Sequence, residues 1–350
     1  MPNRIAILEM ATSENLFPRG YLLANYDLRK KFKNDEAAAI AHFNMRGHKE
    51  ARRQVTRRFI ERSSDPEIKS KRFERFRDCL VSIPDGAREF PLQFGKRVES
   101  LTDYDCESAN ASPGNFLDEL DAHPDNRYAD IGAGLRDVVC ENCLCVEVYP
   151  SLTTDVVIEP TCELPFKDAS LDGVGCFAVL EHVRTPWKMA AEFARVTKPG
   201  GRIFVDWPFL QPVHGFPSHY FNATREGLQA LFARYFIIDQ VSTGAHQGPD
   251  YTVTWILSWL LERIKNPEIR AMVEARSVAE LAREPPQSDF WRKVIGSLRD
   301  DDISTLSCGN NLVGVRNGDP FDQAPGEIDI VDDPIPRPWW KTLFQRFCPS

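Results

Sequence analysis

Nine residues, Y-A-D-I-G-A-G-L-R from Tyr128 to Arg136, carry a short apolar strand pattern into two glycines one residue apart. Without a Cβ, such a turn bends sharply and lets backbone amides come close to a ligand at the carboxyl edge of a parallel sheet. That is chemistry for a nucleotide-type cofactor. Gly132 and Gly134 supply the turn, and Asp130 aims a carboxylate at the same cleft. Glu147 ends the next strand pattern, C-L-C-V-E-V, where an acid can hold ribose hydroxyls. The dinucleotide fingerprint requires a third glycine three residues after the second; Asp137 stands there, which argues against nicotinamide and flavin. Gly-x-Gly alone also fits an ordinary tight turn, so the weight falls on the chain downstream of Arg136.

A second group of reactive side chains lies in P-F-L-Q-P-V-H-G-F-P-S-H-Y, Pro208 to Tyr220, a run with three prolines and two histidines outside any periodic element. His214, His219 and Tyr220 are the candidate bases, since an imidazole titrates near neutral pH. Each fits equally as a brace of its loop. Cys140, Cys143 and Cys145 cluster in C-E-N-C-L-C. No second ligand pair is found downstream at zinc spacing, so they read as buried strand cysteines and no metal site is expected.

Four segments occur in order: D-I-G-A-G, E-L-P-F-K-D-A-S-L-D (Glu163 to Asp172), A-V-L-E-H-V (Ala178 to Val183) and R-V-T-K-P-G-G-R (Arg195 to Arg202). Their order and spacing resemble the class I S-adenosylmethionine-dependent methyltransferases of the type 11 family, from about Tyr128 to Thr243. Pro208 to Thr224 resembles a subgroup met beside sugar-polymer genes. The resemblance implies S-adenosylmethionine as methyl donor, bound by Asp130, Gly132, Ala133, Gly134 and Glu147. It also implies that Cys162 and Glu163 read the adenine amino edge, that Leu164 packs on its ring, and that the end of strand four, at Phe177, faces the methionyl group. The acceptor it suggests is a small molecule or glycan-related.

The elements that must position these residues are set by periodicity. Helix formers without proline extend from Asp35 to Arg62, and a second helix is expected from Pro66 to Leu80. Turn formers between Asp103 and Pro124 mark the way into the next domain, with a helix start at Asn115. Only a dozen residues separate Gly134 from Glu147, so the helix expected after the first strand is short or replaced by a loop. D-V-V-I (155–158) and L-D-G-V-G-C-F-A (171–178) read as strands, the glycines of the latter letting a ligand approach. A helix over Pro186–Val196 ends at K-P-G-G, and R-I-F-V-D is strand five. A helix from Thr224 precedes a further strand, F-I-I-D-Q-V. His182 braces the end of strand four. Helices from Tyr251 to about Leu298 form a lid-like insertion before a last strand, Asn311 to Arg316, with Trp255 and Trp259 as packing residues.

The fold class is therefore α/β: a Rossmann-like methyltransferase sheet, mostly parallel, with helices on both faces. It carries a helical, basic amino-terminal extension over 1–114, a methyltransferase domain over 115–317 with its lid over about 250–300, and an acidic, proline-rich tail over 318–350.

At 350 residues and 42% apolar, the chain can bury a large core. It has no apolar run long enough to span a bilayer and no signal-peptide core, so a cytoplasmic protein with reduced thiols is expected. A net charge of −8 disfavours nucleic acid, yet 29–77 holds 16 Lys and Arg against 7 Asp and Glu. Two competing readings stand beside the methyltransferase one: a catalytically silent cofactor-binding scaffold, and an RNA methyltransferase using the basic helices.

Overall fold

The computed structural model describes residues 4–84, 86–96, 112–134, 136–214, 218–243 and 247–306. The last strand expected at 311–316 and the tail lie outside these. The described residues form two compact units, one from those up to 208 with 220–242 and another from those within 209–219 with 243 and 247–306.

The first unit begins with strands β1 (Arg4–Ala6) and β2 (Leu8–Met10), helices α1 (Pro18–Ala24), α2 (Tyr26–Phe32) and α3 (Glu36–His42), strand β3 (Arg53–Val55), and helices α4 (Arg57–Ser64) and α5 (Pro66–Arg77). The continuous helix expected from Asp35 to Arg62 is thus broken. Helix propensity loses here to tertiary pairing. Leu8 pairs with Val55 across an antiparallel ladder. The side chain of Gln54, fully buried, bonds Glu9, Asn15 and the amide of Phe17. Ala51 takes the left-handed conformation that turns the chain into β3.

The sheet comprises β4 (Leu92–Gln93), β5 (Tyr128–Ile131), β7 (Cys143–Glu147), β8 (Val156–Val157), β9 (Leu171–Phe177) and β10 (Thr197–Asp206), with α6 (Gly114–Ala122) before β5, β6 (Val138–Cys140) before β7, and α7 (Pro186–Val196) between β9 and β10. Its order is β10-β9-β5-β7-β8-β4, and every pairing is parallel. Alternate residues of each strand pack on opposite faces, as the pleat dictates. Ala129, Ile131, Leu144, Val146, Val174 and Cys176 face one layer with Phe73, Phe76, Met189 and Phe193 from α5 and α7. Tyr128, Cys143 and Phe177 face Phe116 and Leu120 of α6.

The helix missing after the glycine turn is replaced by β6, which pairs antiparallel with β1. Ile5, Ile7, Val55, Phe59 and Ile60 then cover Val139 and Cys145, so the amino-terminal segment completes this face of the sheet. Arg72 of α5 reaches Asp155 and the carbonyl of Cys143 (2.6 Å), stitching the segment to β7 and β8.

Two expectations are corrected. The glycines of β9 make room for aromatic side chains, not for a ligand: a Cβ at Gly173 would lie 2.8 Å from the Tyr128 ring, and one at Gly175 would lie 2.9 Å from Phe116. After helix α8 (Arg225–Phe232), F-I-I-D-Q-V forms no strand. Phe236 and Ile238 pack on the core while Ile237 points outward, 96% exposed, so the alternation is met without ladder hydrogen bonds.

The second unit contains α9 (Pro249–Arg263), α10 (Pro267–Glu274), α11 (Val278–Arg283), α12 (Asp289–Ile295) and α13 (Asp300–Leu306). Asn266, Ser277 and Ser288 cap the three middle helices, Ser277 reciprocally with Glu280. Ile264, Val273, Phe290 and Val294 form the core. Trp259 is buried, stacked on Trp255 and under the guanidinium of Arg263, in the packing role expected of it.

Candidate functional site

Gly132 and Gly134 have φ of +70° and +57°, the left-handed region that a Cβ disfavours. The amides of Gly132 and Ala133 both bond the Val146 carbonyl, which ties the turn to the end of β7. Glu147, at that end, lies across the turn. Its carboxylate accepts from the amides of Gly134 (2.9 Å) and Val148 (2.7 Å). Burial pushes it up to about 7, against the pull of those two amides. The glycine turn and the acid read from sequence are therefore one structural unit.

Asp130 requires a correction. It is 2% exposed, and Arg136 bonds both its oxygens, Nε at 2.8 Å and Nη2 at 3.1 Å. Its carboxylate serves the buried ion pair and not an open cleft. Burial, the largest single influence, pushes the Arg136 guanidinium's pKa down, but the charge and hydrogen bonds of Asp130, with Cys145 and Glu147 adding to them, together outweigh it and the net shift is upward. The guanidinium also lies over the Phe177 ring. Arg136 stands within the nine-residue motif, but nothing in its spacing from Asp130 announces a pair.

Ala133 is buried among the amino-terminal apolar residues, Leu164 lies in the main core with its amide held by Glu192, and Phe177 packs 5.2 Å from Phe116. Packing engages these three side chains, and the Leu164 carbonyl is taken as well, by Arg195. Cys162 is half-buried with its sulfur 3.2 Å from the Thr185 hydroxyl, and Glu163 is exposed. A Cβ at Gly132 would meet Val179 Cγ2 at 2.3 Å, so bulk at this position strikes the β9 exit.

The chain leaves β9 through Ala178, whose φ is +56° although it is not glycine, and whose amide bonds the Asp206 carbonyl at the end of β10. One turn of 3₁₀-helix, Leu180–His182, comes next. It aims Glu181 inward: the side chain is fully buried, and among the described residues neither carboxylate oxygen has a hydrogen-bond partner. Burial, with a smaller contribution from Asp206, pushes it up to about 8. The backbone carbonyl of Glu181 accepts from the amide of Tyr220 at 2.6 Å, and Arg184 donates to the Tyr220 hydroxyl at 2.8 Å. In the L-E-H run, His182 Nε2 lies 3.8 Å from the carboxylate; the more unusual residue is not this histidine but its neighbour.

His214 and His219 belong to the second unit. Their rings meet edge to face at 4.6 Å, and His214 packs against Trp255 at 5.4 Å. His214 Nδ1 lies 2.9 Å from the Pro212 carbonyl, which can only accept, so that nitrogen carries the proton and Nε2 is the basic one. Cys140, Cys143 and Cys145 are buried in β6 and β7, and burial pushes their thiols up. Two cavities, of about 560 and 190 Å³, are lined by residues such as Phe43 and His48, and Arg62 and Leu152. Neither is lined by the glycine turn or by Glu181.

A parallel sheet with a glycine turn after one strand, and an acid at the end of the next lying across it, defines the class of domains that hold nucleotide-type cofactors at the carboxyl edge. Residues 130–205 match the family model Methyltransf_11, described as a methyltransferase domain. This segment is a class I methyltransferase domain of the type 11 family. It is 41% identical over 66 residues to an uncharacterized methyltransferase of Mycobacterium tuberculosis, 18% of this chain and 26% of that protein. It is also 41% identical over 75 residues to one of Mycobacterium marinum, 20% and 29% of the two chains. The chain thus spans little more than a quarter of the length of the curated relatives it matches. Among solved structures, the YcgJ protein of Bacillus subtilis aligns at 19% identity over 42% of this chain and 81% of its own, with a TM-score of 0.27.

Proposed function

We propose that this chain transfers a methyl group from S-adenosylmethionine to a small-molecule or glycan-related acceptor. The observation that carries the reading is Glu147, a buried carboxylate laid across the Gly132 to Gly134 turn and held there by two backbone amides. A ribose diol donates to such a carboxylate, and the ordered amides keep it in place before the ligand arrives, so little orientation is lost on binding. The donor, when bound, supplies an electrophilic methyl carbon on a sulfonium. What the chain adds is alignment of an acceptor with that carbon and, for a hydroxyl acceptor, removal of its proton.

His214, His219 and Tyr220 are proposed for that proton. The His214 tautomer leaves Nε2 as the basic nitrogen, and Tyr220 is fixed through Arg184 and through the backbone of Glu181. The helices of the second unit are proposed as the lid. An RNA substrate is disfavoured because basic side chains of the amino-terminal segment are already paired: Arg52 with Asp27 and Glu50, Arg62 with Glu141, Arg72 with Asp155.

The test incubates the protein with donor carrying an isotope-labelled methyl group and a panel of hydroxyl- and amine-bearing small molecules and sugars, read by mass spectrometry. Label transfer is expected, with a rate on a hydroxyl acceptor that falls as pH drops through about 6.5, the ordinary imidazole value. His214→Asn or His219→Asn should lower turnover while S-adenosylhomocysteine affinity holds. Full rate in both variants would remove the histidines from the chemistry.

A further inference from the structure

Burying a carboxyl without a hydrogen-bond partner is costly, and folded proteins rarely tolerate it outside functional sites. Glu181 is such a carboxyl: fully buried, with neither oxygen hydrogen-bonded among the described residues and the His182 Nε2 standing 3.8 Å away. By contrast, the other buried carboxylates at this edge of the sheet are satisfied, Asp130 by Arg136 and Glu147 by two amides.

Its surroundings suit a cation. Glu181 comes after a left-handed Ala178 at the β9 exit, and Val179, two residues before it, is the side chain that closes on Gly132. The acid therefore stands beside the turn assigned to the donor. Asp206, at the end of β10, adds a second negative charge whose field reaches it. Along its other side run Tyr220 and Phe221, both donating backbone amides to the Glu181 carbonyl. The Phe221 ring meets Trp187 edge to face at 6.1 Å, and both rings are exposed, 37% and 53%. The Trp207 indole donates to the Phe221 carbonyl and fixes this wall. A buried carboxyl in the field of a second acid, on a backbone bonded by Phe221, whose ring pairs with Trp187, offers the chemistry that recognises a protonated amine with an apolar remainder.

We propose that Glu181 is the acceptor-binding carboxyl of this domain and that it takes the ammonium group of an aromatic or apolar amine. The inference rests on the methyltransferase reading above and deepens it by naming the acceptor class. On binding, the carboxyl releases its proton to solvent and the ammonium donates to the two carboxylate oxygens, which otherwise have no hydrogen-bond partner among the described residues, while the rings of Trp187 and Phe221 receive the apolar remainder of the molecule. A neutral analogue of the same shape gains the ring contacts but leaves the carboxyl unsatisfied.

The test uses the full chain saturated with S-adenosylhomocysteine and compares, by calorimetry, tyramine with its uncharged analogue 4-ethylphenol. Wild type should bind tyramine about tenfold or more tightly than the analogue, the ratio a charge-assisted pair supports. In Glu181→Gln the preference should vanish while S-adenosylhomocysteine affinity stays unchanged. Glu181→Met, which fills the same space without a polar group, should melt no lower than wild type and also lose the preference. Equal binding of the two probes by wild type, or a preference that survives in both variants, would overturn the proposal. So would unfolding of both variants, which would make Glu181 a structural residue. Binding of Mg²⁺ that Glu181→Gln abolishes, without any preference for tyramine, would overturn it in favour of a metal ligand. Failure of S-adenosylhomocysteine itself to bind would instead remove the methyltransferase reading.

Discussion

Asp130 and Glu181 are both acids buried at the carboxyl edge of one sheet, and the chain treats them in opposite ways. On the donor side, at β5, Asp130 has its whole charge engaged by Arg136, and the pair fastens the glycine turn. On the other side, beyond β9, Glu181 has no hydrogen-bond partner for either oxygen among the described residues, with His182 Nε2 standing 3.8 Å away. The first arrangement is a finished piece of architecture; the second is the group proposed above for binding. A buried acid that holds a fold together and one kept for function differ in what removing them does, and the comparison can be tested on that ground.

The largest effect should come from breaking the finished pair. Arg136→Met leaves Asp130 buried and uncompensated, and should cost about 3–5 kcal/mol in urea unfolding. A loss below about 1 kcal/mol, the scale of an exposed pair, would mean that the pair does not organise the turn. Gly132→Ala should rank next at about 2–3 kcal/mol, because the left-handed φ and the Val179 contact act together. Glu147→Gln should fold normally yet weaken S-adenosylhomocysteine by about tenfold, since it trades a charged acceptor for a neutral one. Unchanged affinity would displace the ribose site from β7.

Glu181→Gln should show the smallest change in stability near pH 5, and one of opposite sign that grows as pH rises. The native Glu181 carboxyl titrates near 8, above its ordinary 4.5, so the native state holds a proton that the unfolded chain releases. The stability linked to that proton is fully present below about 4.5 and is lost as pH rises through 8. Wild type should therefore lose ground to the Gln variant between about pH 5 and 8, by about 1.4 kcal/mol per unit at most. His182, 3.8 Å away, and Asp206, whose field reaches the group, are present in both proteins, so the difference between the two curves reports Glu181. Parallel pH curves would show that the carboxyl is solvated or paired.

The central sheet was legible in the sequence because its signals are local: glycines ending an apolar strand, an acid ending the next, proline and glycine closing α7. The helix lost after Gly134 was legible too, since a dozen residues cannot hold it. What fills its place was not, because the pairing of β1 with β6 joins residues more than 130 positions apart, and no local pattern at Arg4–Ala6 names its partner. For the same reason the helical run from Asp35 to Arg62 misleads; Gln54 is buried by contacts with Glu9 and Asn15 that outweigh propensity. Within the site, Glu147 could be read from its position, whereas Asp130 and Glu181 look alike in sequence. Only the neighbours of their oxygens tell them apart.

The claim on which everything else depends is that the Gly132 to Glu147 unit binds S-adenosylmethionine. Thermal melting of the full chain with S-adenosylmethionine, S-adenosylhomocysteine and NAD, each at saturating concentration, tests it directly. The first two should raise the transition by the equivalent of about 2–3 kcal/mol at a hundredfold excess over Kd, with the shift reduced in Glu147→Gln and NAD without effect. A shift with NAD alone, or one equally large in Glu147→Gln, would contradict the account.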